Sequence, residues 1–228
     1  MILFVDYEHA SSRGTEWGRE IMRLRTEINY KLEDLAGEHC MLVRYDRITD
    51  DLVAQLDPTA MFISGNGTNP NRYLESELEA STRLIRSRSV PTFGLCGGFQ
   101  LMAIAFGVPL TLLGPPRGGE DDQAAADASP FASASVTEIG YAPVELLGEH
   151  RLFEGLGDDP VFRHAHMFQV ADLPGGFTTV ARTELTELQM VVDNEHRMVG
   201  AQFHPESWTD EHPAGERLIQ NFLDWARA

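Results

Sequence analysis

Cysteine is almost absent from this chain: there are two in 228 residues, Cys40 and Cys96. Two cannot build the disulfide framework of a small secreted scaffold, and their scarcity suits a reducing compartment. Basic residues are also few, with Lys+Arg 18 against Asp+Glu 35 and a net charge of −17. A surface so acidic repels phosphate backbones and anionic lipid, which argues against nucleic-acid and membrane partners, although such acidity also serves plain solubility. No apolar run approaches the roughly 20 residues of a membrane span. Met1–Asp6 is a short apolar stretch without the basic flank or length of a signal peptide, so a cytoplasmic protein is expected. A Walker-type phosphate loop and internal repeats are missing as well. The length suits one ordinary domain with a full core, and residues 1–228 are read as a single unit.

What is present is an alternation of strand and helix signals. Residues 2–5 read as a buried strand, and 16–35 carry helical spacing through Trp17, Ile21, Leu24, Ile28, Leu32 and Leu35 before Gly37. A strand at 41–45, a short helix at 50–56 closed by Asp57-Pro58, and a strand at 60–63 follow. A turn-rich loop at 64–70, a helix at 74–86 and a strand at 90–95 complete the series. This order predicts an α/β fold: a doubly wound, mostly parallel central sheet flanked by helices, with ligands beyond the carboxyl ends of the strands. Residues 114–135 change to Pro-Pro, Gly-Gly, an acidic triplet and Ala/Ser-rich sequence, expected to form an exposed, flexible excursion, an insertion rather than a lid. Segments 136–147, 161–170, 178–183, 189–193 and 198–203 are expected as ribbons and strands completing the sheet. A terminal amphipathic helix at 214–228 aligns Leu218, Phe222 and Trp225.

The chemistry centres on the stretch from Thr92 to Ala103. An apolar strand breaks at Cys96-Gly97-Gly98, and a helical segment begins by Gln100. A residue at such a turn sits against a helix N-terminus, where free N–H groups and the helix dipole favour a thiolate. The glycines permit a sharp turn and close approach of a substrate. This is the pattern of a nucleophile elbow with cysteine in the serine position; the alternative is a buried, inert thiol. Val199 to Glu206 bears on the choice. A thiolate nucleophile needs an imidazole to carry its proton and a carboxylate to orient that imidazole. His204 and Glu206 are two apart, so an extended segment would present both on one face. Cys40 lacks any such context and reads as core.

Gly94-Leu95-Cys96-Gly97-Gly98-Phe99-Gln100 and Gln202-Phe203-His204-Pro205-Glu206 resemble the two signatures of class I, triad-type glutamine amidotransferase domains. The resemblance covers essentially the whole chain, and residues 137–141 and 153–156 are most like the GMP-synthetase type. It implies the flavodoxin-like fold of that class and hydrolysis of the glutamine side-chain amide. Cys96 would form the thioester, His204 would carry the proton, and Glu206 would hold His204. The Gly97 N–H and a donor from the 64–70 loop would bind the oxyanion. Asn66 stands where the family commonly has glycine, and its tolerance of positive φ would preserve that donor. Gly65, Gly67 and Gln100 would line the substrate site. Ala165 and His166 match the family's Ser-His segment, with alanine in the serine place, so that a main-chain contact carries over. The resemblance implies no cofactor, and a synthetase partner that receives the ammonia. The alternatives are a stand-alone γ-glutamyl amide or peptide hydrolase and a catalytically silent regulatory or binding subunit. The spacing of His164 and His166 could suit a metal, but no third ligand is evident in the sequence, so ordinary histidines and no metal are expected.

Overall fold

The computed structural model describes residues 1–115 and 135–228. The excursion expected at 114–135 falls mostly outside the described residues; at its base the Ser135 hydroxyl donates to the Pro115 carbonyl.

Five strands run parallel: β1 (Ile2–Asp6), β2 (Cys40–Arg44), β3 (Ala60–Ile63), β4 (Thr92–Leu95) and β12 (Met198–Ala201). Three more, β7 (Glu145–Leu146), β10 (Thr178–Arg182) and β11 (Met190–Asp193), add antiparallel to give the order β2-β1-β3-β4-β12-β11-β10-β7. Alternate residues of the strands feed two cores. Ile2, Phe4, Phe62, Phe93, Val199 and Ala201 face one side, packed by α1 (Glu16–Ala36) and the terminal helix α5 (Ala214–Arg227). Leu3, Val5, Met61, Ile63 and Met198 face the other, packed by α2 (Asp50–Leu56), α3 (Glu75–Ser87) and α4 (Gly97–Ala105). Burial on both faces is why these strands are continuously apolar rather than alternating. The first core is anchored by Phe62, Phe93 and Phe222, whose ring centroids lie 5.1–6.0 Å apart.

The helices begin and end where the sequence supplies caps. The Thr15 side chain accepts the Gly18 N–H at 2.9 Å, and Gly37, at φ 62°, closes α1 in the left-handed region. The Thr49 side chain caps α2 in the same way.

Three expectations change. The segment 161–170 is two strands in different ribbons: β8 (Val161–His166) pairs with β6 (Glu138–Pro143), and β9 (Phe168–Val170) pairs with the short β5 (Leu110–Leu112). Neither ribbon joins the central sheet. Helix α4 starts at Gly97, directly after the cysteine, because the tight packing of this turn on the sheet outweighs the poor helix propensity of two glycines.

Candidate active site

Register brings the chemistry together. β4 and β12 are adjacent and parallel with Leu95 opposite Ala201, and the Cys96 N–H donates to the Ala201 carbonyl at 2.7 Å. Cys96 adopts φ 51° and ψ −103°, a conformation that costs a non-glycine residue about 1–3 kcal/mol. It is tolerated because α4 is clamped to the sheet: a Cβ on Gly98 would lie 2.2 Å from the Ile63 carbonyl oxygen. The elbow therefore exists as the sequence predicted, with a strained cysteine at the strand end and a helix N-terminus behind it. Gly97 and Gly98, at the first two helical positions, have N–H groups with no acceptor inside the helix.

His204 follows β12, and its N–H donates to the Arg163 carbonyl at 2.7 Å. Its Nδ1 is 2.8 Å from Glu206 Oε1. The pairing does not arise from an extended segment as expected. Pro205–Ser207 forms one turn of 3-10 helix with His204 as its N-cap, and this turn swings the 97%-buried Glu206 side chain back to the ring. The His204 ring and the Cys96 side chain converge on Gly65, within 3.0 Å and 3.6 Å of where a Cβ on that residue would stand. Burial alone would depress the imidazolium, but the Cys96 sulfur and the Glu206 carboxylate outweigh it and raise His204 to about 10. Cys40 differs: burial pushes its thiol up to about 12, and it lies in the core below α1.

The loop at 64–68 completes the arrangement, for reasons other than those expected. Neither Asn66 nor its two flanking glycines adopts positive φ. Gly65 is needed for close approach: a Cβ there would sit 3.0 Å from His204 Cε1 and 3.6 Å from the Cys96 Cβ. A Cβ on Gly67 would meet the Trp17 indole nitrogen at 2.2 Å. The Asn66 backbone nitrogen points at the elbow, 2.8 Å from where a Cβ on Gly97 would be. It donates to no acceptor among the described residues. The loop is fixed by buried charges on both sides. Arg25 donates to the Gly65 carbonyl at 2.6 Å and to Asp6 at 2.9 Å, while Glu8 accepts the Gly67 N–H and the Thr68 hydroxyl at 2.5 Å each. The Asn66 side chain is held against the elbow, its amide donating to the Thr68 carbonyl and Tyr73 Oη while its oxygen lies 2.0 Å from where a Cβ on Gly97 would be.

Gln100 is buried beside the elbow, and its amide donates to the Phe168 carbonyl and to Gln202 Oε1, both at 3.2 Å. Gln202 in turn donates to Cys96 Sγ at 3.4 Å. Sequence reasoning passed over Gln202 as a site residue, although it precedes His204 by two and so shares its face. Arg25 and Glu8 were missed because nothing local in the sequence marks a loop clamp. The Ala165 carbonyl lies 4.0 Å from Cys96 Sγ, so this residue meets the site through its main chain. His166 differs, since its side chain turns from the cleft toward Glu138, 2.9 Å away. Burial would raise the Glu138 carboxyl, but the neighbouring His166 ring and the Thr183 and Thr186 hydroxyls hold it down at about 2.

A small cavity of about 40 Å³ touches Cys96, Gln100, Ala165 and residues 66–70. Beside it opens a cleft of about 410 Å³ bounded by Trp17, Arg25, Lys31, Tyr141, Arg163 and His204. A larger hollow near Gly155 and Arg217 has none of these groups. No helix among the described residues is long and apolar enough to cross a membrane.

The sequence pattern of the family "Glutamine amidotransferase class-I" matches residues 28–225. The chain is similar to the GMP synthase [glutamine-hydrolyzing] of Phenylobacterium zucineum, with 28% identity over 95% of this chain and 36% of that protein. It therefore spans about a third of the length of the curated relatives it matches. In fold it resembles a GMP synthase subunit from Thermoplasma acidophilum (TM-score 0.69, 20% identity, covering 99% of this chain and 94% of that one). It also resembles the glutaminase domain of Trypanosoma brucei CTPS solved with bound acivicin (TM-score 0.63, 15% identity, covering 99% and 93%). With the family pattern extending over most of its length and the fold agreeing, the chain belongs to the class I glutamine amidotransferase family.

Proposed function

We propose that this chain, as a single amidotransferase domain over residues 1–228, hydrolyses the side-chain amide of glutamine to glutamate and ammonia. The observation that carries this reading is the convergence of the strained Cys96 with His204, itself paired to Glu206 at 2.8 Å, at the carboxyl edge of β4 and β12. The Cys96 sulfur attacks the carboxamide carbon, and the tetrahedral oxyanion is received by the Gly97 and Asn66 N–H groups. The His204 imidazolium gives its proton to the departing nitrogen as the C–N bond breaks, leaving a γ-glutamyl thioester and ammonia. Neutral His204 then takes a proton from water, hydroxide adds to the thioester carbon, and glutamate leaves as the sulfur is released. Glu206 stabilises the imidazolium and fixes its tautomer. Gln202 supports the sulfur from the opposite side. Gly65 and Gly67 keep the approach open, and Gln100 and the Ala165–His166 main chain border the substrate's end of the pocket.

The reading extends to a partner. The relatives whose names include GMP synthase suggest a synthetase as the acceptor of the ammonia. Its docking site is the cleft edge, where Trp17 and Tyr141 are 45% and 39% exposed. No metal or cofactor takes part in these steps, and the acidic composition and sparse cysteine suit a cytoplasmic enzyme. Steady-state glutamate release from glutamine by the purified chain, with Cys96→Ala alongside, tests the reading. Turnover abolished in the variant supports it; equal turnover in both refutes the thiol route.

A further inference from the structure

Behind the strand that borders the cleft lies a cluster that the proposed hydrolysis does not use. Strand β8 turns Arg163 and Ala165 toward the cleft and buries His164 and His166 on its other face. There the two rings meet Glu138, the residue of β6 directly opposite His166. One donor atom from each of Glu138, His164 and His166 lies within 4.8 Å of the others. This is the third ligand that was not evident in the sequence, brought in by cross-strand pairing.

Three details of the cluster point to a cation. His164 is 99% buried, yet neither of its ring nitrogens has a hydrogen-bond partner of acceptable geometry. A buried polar group left in that state is costly unless something else occupies its lone pair. His166 Nδ1 faces the Phe168 carbonyl at 3.1 Å, so Nδ1 carries the hydrogen and Nε2 points at Glu138. At 2.9 Å that contact is close, but it lacks the direction of a hydrogen bond. An imidazole whose far nitrogen donates to a backbone carbonyl, with a carboxylate fixed by its own donors, is the supporting arrangement of protein metal ligands. Glu138 has such donors: Thr183 and Thr186 hydroxyls at 2.7 Å and the Gln189 amide at 2.6 Å.

We infer that Glu138, His164 and His166 form a binding site for a divalent transition cation of the zinc type, one strand behind the cleft. Two imidazoles and a carboxylate are a nitrogen-oxygen donor set that zinc accepts. On tetrahedral bonds of about 2.0–2.1 Å, donor atoms stand about 3.3 Å apart. Binding therefore opens the Glu138–His166 contact by a few tenths of an ångström and draws the widest pair together by at most about 1.5 Å, within reach of side-chain rotation at His164. The bound cation would tie β6 to β8, the ribbon that presents Arg163 and Ala165 to the cleft.

The test is titration of the chelator-stripped full chain, in a Cys96→Ala background that removes the neighbouring thiol, with Zn²⁺ by calorimetry and Co²⁺ by absorption. One equivalent is expected, with visible cobalt bands, no thiolate charge-transfer band, and affinity weakened tenfold or more by His164→Gln or Glu138→Gln. Imidazole resonances of His164 and His166 in the parent chain should shift together with substoichiometric Zn²⁺, a readout that does not depend on the variants folding. Absence of stoichiometric uptake, uptake indifferent to both substitutions, or imidazole signals that do not move would each overturn the assignment.

Discussion

Replacing Gly97 with alanine isolates the oxyanion donors from the rest of the site. The new methyl would stand 2.0 Å from the Asn66 side-chain oxygen and 2.8 Å from the Asn66 backbone nitrogen. The side-chain oxygen can swing away only by giving up the amide's bonds to the Thr68 carbonyl and Tyr73 Oη. The backbone nitrogen cannot, because its loop is held by Arg25 at Gly65 and by Glu8 at Gly67. Restoring ordinary contact at about 3.5 Å requires a shift of roughly 0.7 Å, more than the ~0.5 Å a preorganised site tolerates. Losing one oxyanion donor typically costs about 3 kcal/mol, or 10²–10³ in kcat. Gly97 has no positive φ, so alanine fits the helix backbone, but crowding the clamped loop should cost about 1–3 kcal/mol of stability. The expected result is a kcat for glutamate release at least about 100-fold lower, in a variant that stays folded with a modestly lowered Tm and keeps Cys96 open to a small alkylating agent. A variant that is folded and within about threefold of the parent in kcat would refute the assignment of Asn66 and Gly97 as a donor pair.

Other outcomes follow from the same geometry. His204 is raised from an ordinary 6.5 to about 10, so its proton favours the folded state. That stabilisation is complete below pH 6.5 and is lost as pH rises toward 10, and a urea-midpoint series should show the decline in the parent and not in His204→Gln. Gln202→Leu removes the donor to Cys96 Sγ and leaves the Gln100 amide with the Phe168 carbonyl alone, which should cost about 1 kcal/mol in denaturant unfolding. Glu8→Ala strips the acceptor of the Gly67 N–H and the Thr68 hydroxyl, so amide hydrogen exchange at Gly67 should speed up by an order of magnitude or more, at about 1.4 kcal/mol per tenfold. Phe222→Ala opens the aromatic centre of the first core and should destabilise by about 3–5 kcal/mol without altering the chemistry of Cys96.

Where sequence signals were local and redundant, the fold was legible. The strand at 60–63 and the helix at 50–56 appear as expected, because turn residues bound the first and Thr49 and Asp57-Pro58 the second. The elbow was readable because strand, cysteine and glycines are contiguous. What escaped notice depends on pairing across distance. A segment at 161–170 without a turn residue hides a change of ribbon at Met167, which no periodicity records. The clamps on the 64–68 loop come from Glu8 and Arg25, remote in sequence. Asn66 was read through backbone tolerance, whereas the structure uses its flanking glycines for clearance around His204 and Trp17. Glu138 became the neighbour of His166 only through strand register.

The fate of the Cys96 sulfur during turnover tests the proposed hydrolysis most directly. Acid-quenching the chain with glutamine and mapping its peptides by mass spectrometry should find a γ-glutamyl adduct confined to the peptide containing Cys96. His204→Asn should alter the amount trapped, and Cys96→Ala should show neither adduct nor ammonia. Ammonia released from glutamine by Cys96→Ala, or a glutamyl adduct on any other residue, would contradict it.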